Sequence, residues 1–205
     1  MTKQGLLIVI SGPSGAGKGT VCRALLECNP EIVLSVSKTT RQPRAEEQDG
    51  VNYFFVTREE FEEAIANEDF LEYACVYEQY YGTPRSAGEK MLAAGRDVIL
   101  EIDTQGALKV MEAFPGGLFI FLLPPSGAEL RSRIINRGTE TSESLQRRLA
   151  AASDEVSQAP RYHYVVVNDR VEDARDRVLA IIQAEKLRSE RNSDLIQAIA
   201  EEVKA

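Results

Sequence analysis

The sequence predicts an α/β fold in which a parallel sheet carries helices on both faces, and two observations predict it. Short apolar runs recur at residues 6–10, 97–103, 118–123 and 164–168, each followed by a segment of helical spacing. The first run leads directly into Gly12-Pro13-Ser14-Gly15-Ala16-Gly17-Lys18-Gly19-Thr20, a G-x-x-x-x-G-K match, and then into a helix from Val21. A glycine-rich turn between strand and helix lets backbone N–H groups converge on a polyphosphate, while the helix N-terminus and Lys18 add positive charge.

The remaining elements follow in order. Residues 32–37 form a β-rich run, and 38–44 (Lys-Thr-Thr-Arg-Gln-Pro-Arg) place three cations in a loop bounded by Pro43 and the polar tract 45–50. Lys38 reads as a solvated charge. Residues 53–56 are a short strand. Thr57 and Glu60 make a capping box for a helix whose Phe61, Ala64 and Ile65 share a face. Residues 70–77 resume strand character up to Tyr80-Tyr81-Gly82-Thr83-Pro84, where Thr83 is expected to cap a helix ending at Gly95. The run 97–103 ends in Glu101 and Asp103, and an acid at the end of a strand beside a phosphate loop holds Mg²⁺ or its water. Ala107, Val110, Met111 and Phe114 form a core face. Residues 118–123 are a third buried strand, and Ser126 with Glu129 predicts a second capping box. The helix behind it carries Arg131, Arg133 and Arg137; another from about Ser142 carries Arg147 and Arg148. After the strand 164–168, Asp169 and Glu172 are expected to cap the last long helical region, broken near Asn192-Ser193. A stripe of Leu195, Ile199 and Val203 closes the chain, to dock on its own core or on another subunit.

Composition narrows the function. The 205 residues carry a net charge of −8 and no run approaching ~18 apolar residues, which excludes a general nucleic-acid binder and a membrane-spanning helix and predicts a cytoplasmic protein. Cys22, Cys28 and Cys75 lack metal-ligand spacing and read as reduced thiols, mostly packing; the single histidine, His163, reads as structural. In an acidic chain, anions must be bound where cations are concentrated locally, which points to the arginine clusters.

With these residues in view, the chain resembles the guanylate kinase family over nearly its whole length. The matching pieces are 12–20, 37–44, Tyr53, Leu71-Glu72, 80–83, 101–106, 137–141, 147–149 and 167–169; the phosphate loop followed by T-T-R-x-P-R and Y-Y-G-T is the specific combination. The resemblance implies a P-loop NTPase sheet flanked by helices. It further implies a core (1–37, 96–136 and 150–205), an inserted GMP-binding subdomain (38–95) and a short lid (137–149) within a single domain. The implied reaction transfers the ATP γ-phosphoryl group to GMP, and with it dGMP, giving ADP and GDP with Mg²⁺ as cofactor. By the resemblance, Ser14, Gly15, Ala16, Gly17, Lys18, Gly19, Thr20, Arg137 and Asn168 bind ATP, with Asn168 at the adenine. Ser37, Arg41, Arg44, Tyr53, Glu72, Tyr81, Thr83, Glu101 and Asp103 bind GMP. Lys18, Arg41, Arg137 and Arg148 are catalytic, and Asp103 serves the metal through water.

The chemistry agrees with these roles. Guanidinium groups and phenols suit a phosphate, and an acceptor-only carboxylate at Glu72 suits the N1–H and N2–H₂ donors of guanine, whereas adenine presents a lone pair at N1. Two residues depart from the family pattern: Glu101 where Asp is more usual, and Gly19 where a hydroxyl usually follows the lysine. A peptide-binding scaffold domain of the same fold is the rival from another class, but Lys18, Arg137 and Arg148 are all present. A kinase of a phosphorylated sugar is disfavoured by Glu72 with Tyr80-Tyr81-Gly82-Thr83.

Overall fold

The computed structural model describes residues 4–76, 78–136 and 142–204, and the backbone alone of helix residues 142–145 and 147. In chain order the elements are β1 (Leu7–Ser11), α1 (Lys18–Cys28), β2 (Ile32–Leu34), β3 (Lys38–Thr39), β4 (Phe54–Phe55), α2 (Arg58–Ala66), β5 (Phe70–Val76), β6 (Gln79–Pro84) and α3 (Arg85–Ala93). Then come β7 (Asp97–Glu101), α4 (Thr104–Ala113), β8 (Leu118–Leu123), α5 (Gly127–Ile135), α6 (Ser142–Ser157), β9 (Tyr164–Val167), α7 (Val171–Lys186) and α8 (Ser193–Glu202).

Five strands form a sheet of order β2-β7-β1-β8-β9, every pairing parallel. β1 lies at its centre and is buried along its whole length, which is why it reads as an unbroken apolar run and not as an alternation. Its alternate residues serve two cores. Ile8 and Ile10 join Val21, Leu25, Val178 and Ile182 under α1 and α7. Leu7 and Val9 join Val98, Leu100, Val110 and Phe121 on the opposite face. Each such side chain contributes roughly 1.5–3 kcal/mol by leaving water, so this sheet is the rigid frame on which the site is hung.

A second sheet of order β4-β3-β6-β5 is inserted between β2 and α3, with β5 and β6 forming an antiparallel hairpin. It has its own small core. Phe61 of α2 stacks against Phe70 at 4.5 Å and Tyr80 at 5.1 Å. Gly82 is required there, because a Cβ would come within 2.8 Å of Phe70 and 2.9 Å of Phe61.

Several local expectations need correction. The Thr57–Glu60 capping box forms in both directions, but Ser126 caps α5 alone, since the Glu129 carboxylate turns to Arg133 at 2.8 Å. Thr83 does not cap α3: β6 runs on to Pro84, and the Thr83 hydroxyl is spent on Glu72. Asp169 does not cap α7 either; Arg170 is the N-cap, and Asp169 pairs with Arg177 at 2.9 Å. Lys38 is half-buried and lies 5.8 Å from the centre of the Phe70 ring. Of the thiols only Cys22 is buried, Cys28 and Cys75 being exposed. His163 packs edge-on to Phe119 and accepts its N–H. The apolar stripe of α8 lies in the open, Leu195, Ile199 and Val203 each being more than half exposed.

Candidate active site

The phosphate loop leaves β1 and enters α1 at Lys18. Gly12, Gly15 and Gly17 take φ values of +148°, +92° and +89°, which side chains disfavour, and their turns shape a nest of backbone N–H groups. Lys18 Nζ donates to the carbonyl of Gly12 at 2.6 Å and of Pro13 at 3.4 Å, which keeps its charge at the mouth of the loop. Thr20 stands exposed on the first turn of α1. Asn168, 3% exposed, braces the loop from beneath by donating its amide to Ala16 O at 2.8 Å.

The second sheet presents a cationic, aromatic cage. The Arg41 guanidinium lies 5.6 Å from the Tyr53 ring centre, and Tyr53 meets Tyr81 edge-on at 6.0 Å. Glu47 grips Arg41 with both carboxylate oxygens at 2.9 Å and accepts the Arg44 N–H at 2.8 Å. Burial alone would raise the Glu47 pKa, but these hydrogen bonds and charges hold it below the ordinary range. The Arg44 side chain reaches into solvent. Burial, with the charge of Glu101 adding to it, pushes the Tyr53 phenol up to about 12, so it stays a hydrogen-bond donor.

Behind the cage lies Glu72. The hairpin register sets it directly opposite Thr83, whose hydroxyl donates to it at 2.8 Å; Ser37 is buried as well. The first turn of α4 closes over the carboxylate so tightly that a Cβ at Gly106 would come within 2.6 Å of it. Burial raises its pKa to about 7; the Thr83 hydroxyl lowers it, the Asp103 charge raises it and Lys109 lowers it.

Loop and cage meet at Glu101, the last residue of β7. A Cβ at Gly19 would lie 3.3 and 3.5 Å from its two carboxylate oxygens, and its charge also reaches Tyr53. The strand expected to run to 103 stops here. Asp103 is instead the N-cap of α4, its Oδ1 accepting the Gly106 N–H at 2.9 Å. On the other flank, α6 sends Arg148 to the Ser14 hydroxyl at 3.3 Å and Glu155 to the Ser14 N–H at 3.1 Å. Between the tip of the β5–β6 hairpin, α4 and α6 opens a cleft of about 400 Å³ bordered by Cys75, Asp103 and Glu155. Arg137 and the turn 138–141 lie outside the described residues, as does the Arg147 side chain.

Two site residues, Glu47 and Glu155, escape the sequence reading. Glu47 lies in the polar tract 45–50 and carries no motif of its own. Glu155 stands seven residues after Arg148, hence on the same helical face, a signal that helical spacing offered. Arg133 extends its guanidinium to 3.9 Å from where a Gly17 Cβ would be.

A phosphate loop at the carboxyl edge of a parallel sheet, opposed across one carboxylate to a second anion cage, is the organisation of P-loop enzymes that bring two phosphorylated molecules together. The comparisons narrow this class. The guanylate kinase family model matches residues 4–185. A guanylate kinase from Caldanaerobacter subterraneus subsp. tengcongensis is 58% identical over 200 residues, covering 98% of this chain and 97% of that one. One from Clostridium perfringens is 60% identical over 188 residues, covering 92% and 87%. The crystal structure of guanylate kinase from Anaplasma phagocytophilum superposes with a TM-score of 0.78 at 37% identity, covering 92% of this chain and 90% of that one. The chain belongs to the guanylate kinase family.

Proposed function

We propose that this chain transfers the ATP γ-phosphoryl group to GMP, giving ADP and GDP, with the residues of the two opposed sites in the following roles. The amides of residues 14–20 and Lys18 receive the ATP phosphates. Arg41, Arg44, Tyr53 and Tyr81 receive the GMP phosphate, with Glu47 holding Arg41 in its planar, bidentate geometry. Glu72 reads guanine by accepting from N1–H and N2–H₂, and Ser37 and Thr83 complete that edge. Arg148 and Arg137 neutralise charge on the transferring group. Asn168 acts as a brace of the loop, a role that its bond to Ala16 favours over direct contact with adenine. The subdomain 38–95 and the lid 137–149 are the parts that close on the substrates.

The donors around Gly19 fit Mg²⁺: they are hard oxygens, namely the Glu101 carboxylate and the Thr20 hydroxyl, with Asp103 able to serve through water. When bound with ATP, the ion supplies neutralisation of the phosphate charge. Among the described residues no helix is long and apolar enough to cross a membrane, and we place the enzyme in the cytoplasm with its nucleotide substrates.

One observation carries this reading: the buried Glu72, fixed opposite Thr83 beside a phosphate cage, presents when ionised an acceptor edge that the guanine N–H groups would fill and the adenine N1 lone pair would not. A coupled ADP-release assay offering GMP, dGMP, AMP and UMP tests it. GMP and dGMP should turn over, with AMP slower by a factor of at least about 10⁴, the discrimination expected when a buried polar group loses its partner. Comparable rates with AMP or UMP would overturn the assignment.

A further inference from the structure

Gly19 is unlike the other glycines of the loop. Gly12, Gly15 and Gly17 have positive φ, but Gly19 is an ordinary helical residue in the first turn of α1, where glycine is a poor helix former. Torsion therefore does not call for a glycine here; space does. A Cβ at this position would sit 3.3 Å from Glu101 Oε1 and 3.5 Å from Oε2, with the carboxyl carbon at 3.8 Å. The nearer oxygen is tight even for a methyl group, and a hydroxyl beyond it would need room as well.

The Glu101 backbone is fixed. It ends β7 and is paired in register with Ile10 of β1, two residues before the phosphate loop turns at Gly12, so the side chain starts from a set point beside Gly19. An aspartate at 101 would hold its carboxylate about 1.5 Å further back, the length of one carbon–carbon bond. In many P-loop enzymes the metal is held by a hydroxyl next to the lysine and by an aspartate at the end of a neighbouring strand. Here both positions differ from that pattern, and they differ in complementary directions: one side chain has been removed and the other lengthened into the same volume.

We propose that Gly19 and Glu101 form a single compensating unit, in which the glutamate carboxylate fills the place of the absent residue-19 hydroxyl and supplies in its stead an oxygen ligand to the nucleotide-bound Mg²⁺. This rests on the kinase reading of the site and deepens it. Two combinations are then self-consistent, glycine with glutamate and serine with aspartate. The mixed pairs are not: serine with glutamate is crowded, and glycine with aspartate leaves that coordination position to water, without a protein oxygen.

The test is a double-mutant cycle read by binding, not turnover. ADP affinity is measured by calorimetry with and without Mg²⁺ for the wild type, Gly19→Ser, Glu101→Asp and the double variant. Mn²⁺ affinity in the ADP complex is measured in parallel by electron paramagnetic resonance. Glu101→Asp should lower the Mg²⁺-dependent gain in ADP affinity by about tenfold, the scale of a lost oxygen ligand or its support. Gly19→Ser alone should lower it several-fold. The double variant should recover to within about threefold of wild type, a coupling that independent sites do not show. Glu101→Gln separates ligation from packing, because the amide keeps the length but not the charge; it should lose the metal-dependent gain, while ADP binding without metal holds or tightens because a carboxylate no longer faces the phosphates. Melting curves and metal-free ADP affinity monitor the fold, and the Glu101 variants decide the matter even if Gly19→Ser does not fold. Additive losses in the double variant, or an undiminished metal-dependent gain in Glu101→Gln, would overturn the pairing and leave the kinase assignment standing. Absence of Mg²⁺-dependent ADP binding in the wild type would overturn both.

Discussion

Glu72, which we propose reads guanine, shows what such a role would cost at the level of one residue. Its carboxyl is 6% exposed and titrates at about 7, burial being the main cause. Guanine offers donors, so the bound form of Glu72 is the ionised one. Below pH 7 GMP must expel a proton to bind, and its apparent affinity should fall as the pH drops, approaching tenfold per pH unit, while the KM for ATP does not follow. The stability of the nucleotide-free protein runs the other way. With a folded pKa of about 7 above an unfolded value of ~4.3, the folded state holds the proton more tightly. Stability therefore declines as pH rises from ~4.3 to about 7, and at pH 8 the buried charge costs roughly 3.6 kcal/mol. Glu72→Gln removes that charge, so we expect it to melt at a higher temperature than wild type at pH 8, with the advantage shrinking as the pH falls and gone near pH 4, and GMP turnover impaired throughout. A melting difference that stays flat across this range would show that Glu72 is not carrying a suppressed ionisation.

Among the elements, α6 ties two functions together. Arg148 and Glu155 lie seven residues apart on one face, and both reach Ser14, one at its hydroxyl and the other at its backbone N–H. Burial raises the Glu155 pKa, against the Ser14 hydrogen bond and the charge of Lys18. Glu155 thus holds the Ser14 turn of the loop, and we propose that it acts as a positioning residue for the amides that follow. Glu155→Ala should raise the KM for ATP and lower kcat while leaving the GMP affinity near wild type. Glu155→Gln, whose amide oxygen still accepts from Ser14, should rescue most of the loss; equal damage from both variants would mean that the charge itself matters. The contrast between these residues also explains how far the sequence could be read. The phosphate loop, Arg41 and Glu72 were legible because each sits in a local pattern of turn, strand or cationic cluster. Asp103 was misjudged as a strand end because an aspartate beginning a helix and an aspartate ending a strand look alike after a mostly apolar run; only the Gly106 N–H separates them. Glu47 and Glu155 were missed because they act on partners that the fold, not the local sequence, brings to them: the pair Ser14 and Glu155 spans 141 positions. Thr83 was misread as a cap, its hydroxyl being claimed across the hairpin by Glu72.

At the scale of the molecule, the two phosphate sites belong to separately packed units. The central sheet carries the loop on two large cores, whereas the second sheet rests on the small Phe61, Ala64 and Phe70 cluster. Lys18 lies on the first unit; Arg41 and Arg44 lie on the second. Glu47 and Glu101 offset part of this positive charge, and phosphates on both substrates would supply the rest of the counter-charge that draws the two units together, with the low dielectric of a closing cleft strengthening the attraction. Differential affinity of this kind is what drives a population from open to closed. ADP or GMP alone neutralises one side and should close the cleft in part. A bisubstrate analogue spanning both sites should close it fully, shortening the maximum dimension and the radius of gyration seen by small-angle X-ray scattering. The effect should weaken as salt is raised, because the Debye length falls from ~10 Å at 0.1 M to ~3 Å at 1 M. Arg41→Ala should blunt the response to the analogue without changing the response to ADP, since Arg41 lies on the acceptor side only. Scattering profiles that superimpose with and without the analogue at low salt would show that the two units are fixed in place and that the charges are reconciled some other way.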